Sequence, residues 1–481
     1  MFLEKLDPIF KLIPSIRKPS TPLTFKAKLK WTAIIMSVYF LLFSIPAVGV
    51  SISTLSQPAL QLISIIFAAR IGSLITVGIG PIVLASIVLQ LLVGSKAINV
   101  DLNDPEQKSR FQSTQKLSAI VIAIIEAFVF VATRYVPTSP GYFGLVVFQL
   151  ALGAIFVIYM DEAMTKYGLT SGINLFIAGG VAYAIIAGTF NIMLPGAIAA
   201  IQAGGAAALS NAILAFGPLF FAIIVFLVSI YAYDIKLELP LVFNQFRGVG
   251  GRLPLPLLYV SVLPVILATS FELSLTVWFK FLSGVTGSLA NLARFIAYYP
   301  PGATEPTGGL LYLISPLFPM PYPAKFGGVG GYAQYFAYLS THTSPLYLPA
   351  GGIMYVPEVF HILIYTLVLV ALCVVFGKFW IEMTGQNPKT VAGQLQDYGW
   401  QIPGFRRDPR IVESMLNKYI PTITVLGSIV VALLASFATL TGAVGTGVGI
   451  LLTVGIMYML YQQLEQEHAF ESYAKLDKFL S

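Results

Sequence analysis

The sequence predicts an all-α membrane protein with about ten transmembrane helices. Of its 481 residues, 57% are hydrophobic and only 10% are charged, whereas a soluble domain is about 25% charged. So few charges cannot cover several soluble domains, which means that lipid must cover most of this chain. The single cysteine, Cys373, excludes a disulfide framework, and the three histidines form no metal-spaced pair. No P-loop sequence occurs, and neither a metal nor a cofactor is expected.

Stretches without Asp, Glu, Lys or Arg locate the spans. A helix that crosses about 30 Å of hydrocarbon needs about 20 residues. The charge-free stretches 167–233 and 419–464 are long enough for two spans each, and breaks are predicted near Pro195-Gly196, Gly204-Gly205 and Thr441-Gly442. The predicted spans cover residues 31–50, 74–94, 113–133, 143–161, 171–190, 209–233, 255–277, 357–377, 420–440 and 443–463.

The basic residues predict the orientation of these spans. An even number of spans places both termini on one side, and only five of the 28 lysines and arginines fall on the other side. These five are Arg70, Arg134, Lys280, Arg294 and Lys325. Cytoplasmic loops have an excess of basic residues, so we expect a multi-pass protein of the plasma membrane with both termini in the cytoplasm.

Two external segments break the pattern of spans. Residues 57–69 are apolar but too few to cross a membrane, so they predict a re-entrant or interfacial helix. The stretch 281–356 is rich in Gly, Pro and Tyr and predicts a compact external cap or short hairpins. Within it, the Gly-rich run 327–331 fits a cluster of turns better than a phosphate-binding loop.

Two cytoplasmic loops are unusual for a transporter of small solutes. Loop 234–254 alternates apolar and polar residues and predicts a hairpin with a basic tip. Loop 378–419 contains a short amphipathic helix, Val391–Tyr398, and loops of this length are usually functional. Their arginines fit either topology marking with contact to lipid headgroups, or a docking platform for an acidic partner such as RNA. They are Arg247 and Arg252 in the first loop and Arg406, Arg407 and Arg410 in the second.

Five blocks of sequence, in order along almost the whole chain, resemble the SecY family, the central subunit of the Sec protein-conducting channel. The loop sequences and the extended external region look like those of its archaeal and eukaryotic branch. One departure is Ser261-Val262, because the family usually has Ser-Asn at this place. The blocks are GIGPIVLASIVLQLL (78–92), YMDEAMTKYGLTSGINLFIAGG (159–180), RGVGGRLPLPLLYVSVLPVILA (247–268), GKFWIEMTGQNPKTVAGQLQDYGWQIPGFRRDPR (377–410) and GTGVGILLTVGIMY (445–458).

The resemblance implies two inversely oriented halves, here 1–205 and 206–481, around an hourglass pore. By motif, the narrow ring of this pore would consist of Val83, Ile87, Ile173, Ile177, Ile266 and Leu452. The sequence supports this in one respect, because Val83/Ile87 and Ile173/Ile177 are i, i+4 pairs on single helix faces. Branched aliphatic side chains offer ions no charge or oxygen and can hold them back by dewetting. Taken singly, each residue also fits ordinary helix packing or lipid contact.

The resemblance also makes residues 57–69 a plug, a short helix that seals the resting channel from the external side. Without the resemblance, the interfacial helix would be the preferred interpretation. Pro58 suits the start of such a helix, and Gly72 suits a hinge before the next span. The apolar side chains of the predicted plug are Leu60, Ile63, Ile66 and Phe67.

One ionisable residue, Glu126, lies in the middle of a predicted span, where such residues usually mark function. In the SecY family this span borders the lateral gate, so the resemblance implies that Glu126 is a gate residue. Its expected partner is Thr269 or Ser274 in the seventh span. The alternative is a buried neutral glutamic acid bonded to a backbone carbonyl. Glu272 lies nearer the end of a predicted span and is expected at the interface.

The resemblance implies the pore-forming subunit of a protein translocase, which conducts secretory polypeptides and releases transmembrane segments sideways into lipid. Its expected partners are a gamma-type (SecE-like) subunit, a beta-type single-span subunit, the ribosome, and a nascent chain with its signal sequence. An ion-coupled transporter with inverted repeats is the alternative, but it would need paired charges near the midplane. An intramembrane enzyme would need a nucleophile and a base or a metal-ligand set, so no enzyme is expected.

Overall fold

Ten apolar helices form most of the part of the chain that the computed structural model describes. That part comprises residues 10, 13–21, 23–51, 69–94, 98, 100, 104–243, 250–281, 289–300, 303, 305–316, 331–349, 352–397, 400–401 and 409–480. The helices are α1 Phe25–Ser44, α2 Gly80–Gly94, α3 Pro105–Ala132, α4 Phe143–Tyr167, α5 Gly172–Ala203, α6 Gly217–Asp234, α7 Leu263–Lys280, α8 Glu358–Met383, α9 Pro409–Leu440 and α10 Gly447–Leu480. Eight are long and apolar enough to cross a membrane, and the apolar parts of α2 and α10 are shorter. The predicted all-α class is confirmed.

Turn-forming residues shift the ends of several spans from their predicted positions. Helix α1 begins six residues early, at Phe25, because the hydroxyl oxygen of Thr24 accepts a hydrogen bond from the amide of Ala27. Helix α2 begins at Gly80 instead of 74 because the chain runs through turns up to Gly78, whose φ is +57°. Helix α7 begins at Leu263 instead of 255 because residues 250–256 form a strand.

The predicted break at Pro195-Gly196 is wrong. A π-helical turn, Thr189–Met193, precedes this proline, and the helix continues to Ala203. Such a turn loosens the backbone where the proline removes a hydrogen bond. The chain does break at Gly204 and Gly205, the other break predicted in this stretch, where both residues have positive φ. Gly442, with φ of +66°, lies at the turn between α9 and α10, where a break was predicted.

The core consists mainly of one hydrophobic cluster to which all ten helices contribute. Helix α2 contacts α3 and also α7 and α8, and helix α5 contacts α10. Small residues allow the closest approaches. A side chain at Gly153 of α4 would bring a Cβ atom within 1.8 Å of the carbonyl oxygen of Leu74. Tyr39 of α1 stacks on Phe176 of α5, with ring centroids 4.5 Å apart.

The strands lie outside this helical core, in two separate sheets. They are β1 Lys236–Phe243, β2 Gly250–Pro256, β3 Thr343–Tyr347, β4 Ile353–Pro357 and β5 Trp400–Gln401. Strands β1 and β2 form the hairpin predicted for loop 234–254, and β5 pairs with the end of β1. Loop 378–419 contains a helix, Pro388–Asp397, close to the predicted Val391–Tyr398. The two loops that were predicted to be cytoplasmic therefore form one unit, which we call the cytoplasmic unit after its predicted side.

The described residues of the region 281–356, which was predicted to be external, contain three short helices and a hairpin. The helices are Ala290–Ile296, Leu310–Ile314 and Tyr332–Thr341. Strands β3 and β4 pair in antiparallel fashion and lead directly into α8. The Gly-rich run 327–331, apart from Gly331, lies outside the described residues.

Candidate pore and lateral gate

The structure brings the predicted ring residues into one connected hydrophobic cluster. Five of them are buried and belong to its centre, and Ile173 is half-buried and packs against it. They lie on four helices, of which α2 contacts α7, α7 contacts α10, and α10 contacts α5. The residues are Val83 and Ile87 on α2, Ile173 and Ile177 on α5, Ile266 on α7 and Leu452 on α10.

A half-buried carboxylate near the end of α4 positions the first ring residue of α5. The carboxylate oxygen Oδ1 of Asp161 accepts a hydrogen bond from the amide of Ile173 at 2.9 Å. Ser171 caps the same helix through the amide of Asn174. A Cβ atom at Gly172 would lie 2.6 Å from the Cα atom of Asp161, so only glycine fits between the two helices. Sequence reasoning missed Asp161, because it lies within α4 and reaches the start of α5 only through the packing of the two helices.

A second polar contact fixes the chain just before α7. The hydroxyl groups of Tyr233 and Ser261 lie 3.0 Å apart, and Ser261 adopts a φ of +59°, which L-residues rarely do. Gly455 of α10 faces this pair, because a Cβ atom there would lie 2.3 Å from the hydroxyl oxygen of Tyr233. Three parts of the bundle meet here, namely α6, α10 and the turn that precedes α7. The contact therefore orients α7 and α10, the helices to which Ile266 and Leu452 belong.

Glu126 is buried in α3, but it does not form the predicted polar contact with Thr269 or Ser274 of α7. Neither carboxylate oxygen has a hydrogen-bond partner, so the alternative bond to a backbone carbonyl is not formed either. The hydroxyl of Thr269 donates to the carbonyl oxygen of Val265 at 2.8 Å, within its own helix. The hydroxyl of Ser274 has no partner.

The prediction that Glu272 lies at the interface is wrong. Its side chain is 1% exposed, and both of its carboxylate oxygens lack a partner. The error has a physical cause. Helix α7 covers Leu263–Lys280 and not 255–277, which places Glu272 near its middle.

Buried oxygen atoms without partners concentrate on α2, α3 and α7. Natural proteins leave few such groups, so a concentration of them indicates function. These three helices contact one another, and we call their common boundary the α2–α3–α7 seam. Glu272 lies on the face of α7 opposite Ser270 and Ser274, because two residues turn a helix by about 200°. The side chains with unpartnered oxygen atoms on these helices are Gln90, Glu126, Ser270, Glu272 and Ser274. Among the described residues, no group of three or more His, Cys, Asp or Glu could hold a metal ion.

The cytoplasmic unit presents two of the five predicted docking arginines. Arg252 of β2 is exposed and pairs with the carboxylate of Glu238 on β1. Arg410 is exposed at the start of α9. Arg247, Arg406 and Arg407 lie outside the described residues.

A hydrophobic cluster and a tyrosine hold this unit on the bundle. The hydroxyl of Tyr259 donates to the carbonyl oxygen of Gln386 at 3.0 Å, and burial raises the pKa of Tyr259 to about 12, so it remains a donor. The cluster consists of Leu239, Leu255, Val260, Ile381, Ala392, Val412, Leu416, Ile420 and Ile423.

Residues 57–68 of the predicted plug, with Leu60, Ile63, Ile66 and Phe67, lie outside the described residues. Its last residue, Ala69, is buried. Gly72 follows with a φ of +90°, in the region that glycine adopts most easily. Its amide donates to the hydroxyl of Thr76 at 3.0 Å, and its carbonyl accepts from the amide of Ala47 at 2.8 Å. The segment between α1 and α2 is therefore anchored at its C-terminal end.

Known proteins resemble this chain over nearly its whole length. Residues 73–461 match the SecY family. The chain is 36% identical to the protein translocase subunit SecY of Methanothermobacter thermautotrophicus, over 99% of this chain and 98% of that protein. It is 35% identical to the protein translocase subunit SecY of Methanocaldococcus jannaschii, over 100% of both.

Solved structures agree with these relatives. A protein-conducting channel superposes with a TM-score of 0.77 at 35% identity, over 96% of this chain and 97% of that one. Sec61 from the canine ribosome-channel complex of the endoplasmic reticulum superposes with a TM-score of 0.74 at 35% identity, over the same shares of the two chains. The chain therefore belongs to the SecY family.

Proposed function

We propose that this chain is the pore-forming subunit of a protein translocase. It conducts secretory polypeptides across the membrane and releases transmembrane segments sideways into lipid. The observation behind this proposal is that six branched aliphatic side chains, from the contacting helices α2, α5, α7 and α10, all belong to or pack against the central hydrophobic cluster. Such a constriction repels ions by dewetting and can deform around an extended polypeptide. An ion-coupled transporter would instead need coordinating groups at its centre, and no relative reported above is a transporter.

The α2–α3–α7 seam suits the lateral gate of such a channel. The unpartnered oxygen atoms named above have no hydrogen bonds to lose when the seam opens, and opening would let water reach them. A buried polar atom without a partner costs about 1–3 kcal/mol. Hydration of these atoms would offset part of the work of separating apolar helix faces. We propose that Glu126, together with Thr269 and Ser274, sets the balance between the closed and open seam.

A signal sequence that enters the channel is expected to contact α2 and α7. With a photo-crosslinking residue at Ile87 or Ile266, we expect a stalled secretory chain to form crosslinks at both positions, because an open seam exposes both helices. Leu152 on α4 and Leu426 on α9 are matched controls, since each is 49% exposed on the outside of the bundle. Crosslinks at the two control positions alone would place the gate elsewhere and contradict the proposal.

We further propose that the cytoplasmic unit docks the ribosome. The planar guanidinium group of arginine makes paired hydrogen bonds with phosphate. Arg252 and Arg410 are exposed on this unit, and the proposal adds Arg247, Arg406 and Arg407. The canine relative was solved in a complex with a ribosome, which supports this assignment. The ion pair of Arg252 with Glu238 is exposed, so it competes only weakly with phosphate.

Reversing two of these charges should weaken ribosome binding steeply. For Arg252→Glu with Arg406→Glu, we expect lower affinity and a flatter salt dependence. The log–log slope should fall by roughly 0.7–0.9 per lost phosphate contact. Binding to purified ribosomes across a salt series measures both. The control Arg134→Glu with Arg294→Glu makes the same charge change on the external side. Wild-type affinity and slope in the first variant would leave these arginines as topology markers.

The remaining features of the assembly are also proposals. We propose a plasma-membrane protein with both termini in the cytoplasm, which the distribution of basic residues supports. We also propose two halves, 1–205 and 206–481, which meet at the break at Gly204-Gly205, with residues 57–69 as the plug. A gamma-type (SecE-like) and a beta-type subunit complete the proposed complex. Purification in mild detergent would identify the small subunits that remain bound.

A further inference from the structure

The external segment 331–357 lacks charged residues altogether. None of its 27 residues is Asp, Glu, Lys or Arg, whereas about a quarter of the residues of a soluble domain are charged. It is also rich in aromatic residues, which are Tyr332, Tyr335, Phe336, Tyr338, Tyr347 and Tyr355. A loop that projected into water would not have this composition.

This segment nevertheless exposes large apolar side chains. Phe336 on the helix Tyr332–Thr341 is 63% exposed. Three consecutive residues of β4 are also exposed, Ile353 at 50%, Met354 at 49% and Tyr355 at 62%. A strand with one buried face alternates exposed and buried residues, but in β4 only Val356 is buried. Both faces of this part of the strand are therefore apolar and uncovered.

The exposed residues of β4 continue into the outward face of α8. Strand β4 ends at Pro357, directly before α8 begins at Glu358. Four residues of α8 form an exposed apolar stripe from its first turn onward, and they are Val359, Phe360, Leu363 and Leu367. A stripe of this kind on a membrane-crossing helix faces lipid. The apolar surface thus runs without interruption from the lipid-facing side of α8 to β4.

The length of α8 places β4 at the level of the lipid headgroups. The charge-free part of this helix, 359–377, rises about 28 Å at about 1.5 Å per residue, which matches the hydrocarbon thickness of about 30 Å. The hydrocarbon boundary therefore falls at the first turn of α8. Aromatic residues are enriched at this depth, because one end of such a side chain is apolar and the other can be hydrated.

We propose that the segment 331–357 is an interfacial cap, which lies in the headgroup region of the external leaflet and contacts lipid through Phe336, Ile353, Met354 and Tyr355. Lipid fits this surface better than a protein partner does. A protein interface has a polar, partly charged rim with frequent hydrogen bonds, but none of the 27 residues of this segment is charged. The inference goes beyond the proposed function, because it does not depend on what passes through the pore.

Nitroxide labels can test the interfacial cap in full-length protein. The native Cys373 is fully buried, so new cysteines can be labelled selectively. We would place labels by Phe336→Cys, Met354→Cys and Tyr355→Cys in nanodiscs of phosphatidylcholine and phosphatidylglycerol. Power saturation then compares collisions with oxygen, which concentrates in lipid, and with a nickel chelate, which stays in water. The lipid control is Leu363→Cys on α8, and the water control is Glu238→Cys on the cytoplasmic hairpin.

We expect the oxygen-to-nickel collision ratio at all three positions to lie several-fold above that of the Glu238→Cys control and toward that of Leu363→Cys. A ratio equal to the water control would overturn the proposal. Labels that collide with neither reagent in preparations that retain small subunits would also overturn it, because a protein partner would then cover the surface. Labelled variants that still translocate a secretory chain would show that the fold is intact.

Discussion

Replacing Ile177 or Ile87 with glycine or with a charged residue is expected to make the resting channel leak small ions. Both side chains are almost fully buried in the central hydrophobic cluster, and we propose them as part of the pore constriction. Removing a branched side chain there opens a path for water, and a charged side chain hydrates it. Either change removes the dewetted barrier that holds ions back. Ion flux from proteoliposomes containing the variant channel measures the leak.

Glycine also weakens a helix, so the leak needs a control for helix damage. A glycine in a helix interior costs about 1 kcal/mol relative to alanine. Ile186→Gly lies on the same helix α5, but its side chain is 60% exposed and faces away from the cluster. Val88 is the matching control on α2, at 44% exposure. Unchanged conductance for both ring variants, or an equal leak from the control variants, would remove the ring assignment.

The number and type of the helices were predictable because lipid imposes one strong constraint. Long stretches without charge identified the spans, and their ends were wrong where turn chemistry intervened. The prediction for α7 ignored the strand-forming run before Leu263. The prediction for α5 treated Pro195 as a helix breaker, although a π-helical turn accommodates it. Such local rearrangements depend on tertiary packing, which a hydropathy pattern does not contain.

The candidate site was only partly predictable, for a related reason. The spacing of Ile173 and Ile177 indicated a shared helix face, and the family resemblance supplied the register of the ring. The contacts that orient these helices join residues far apart in sequence, such as Tyr233 and Ser261. Spacing within one helix cannot reveal a contact between two helices. For the same reason, the sequence located Glu126 in a span but could not show that it lacks a partner.

A buried network that sequence analysis did not identify joins the short helix Leu310–Ile314 and Ser315 to the first turn of α8. Glu358 and His361 are both fully buried, and the imidazole Nδ1 lies 3.0 Å from carboxylate oxygen Oε2. The hydroxyl of Tyr312 donates to Oε1 of Glu358 at 2.9 Å. The other ring nitrogen, Nε2, lies 3.0 Å from the carbonyl oxygen of Ser315. A carbonyl oxygen only accepts hydrogen bonds, so Nε2 of His361 must be the donor in this contact. The contact between Nδ1 of His361 and Oε2 of Glu358 needs a second proton, on one atom or the other.

His361→Leu is expected to destabilise the protein by about 3–5 kcal/mol, because it leaves the carboxyl group of Glu358 buried without its main partner. Titration with SDS, followed by circular dichroism, measures the free energy of unfolding. The double variant Glu358→Leu, His361→Leu is the matched control. Replacing a whole buried pair with apolar residues is often close to neutral, so we expect it to recover most of the loss. A single variant within about 1 kcal/mol of wild type, or a double variant no more stable than the single one, would mean that the pair is not coupled in this way.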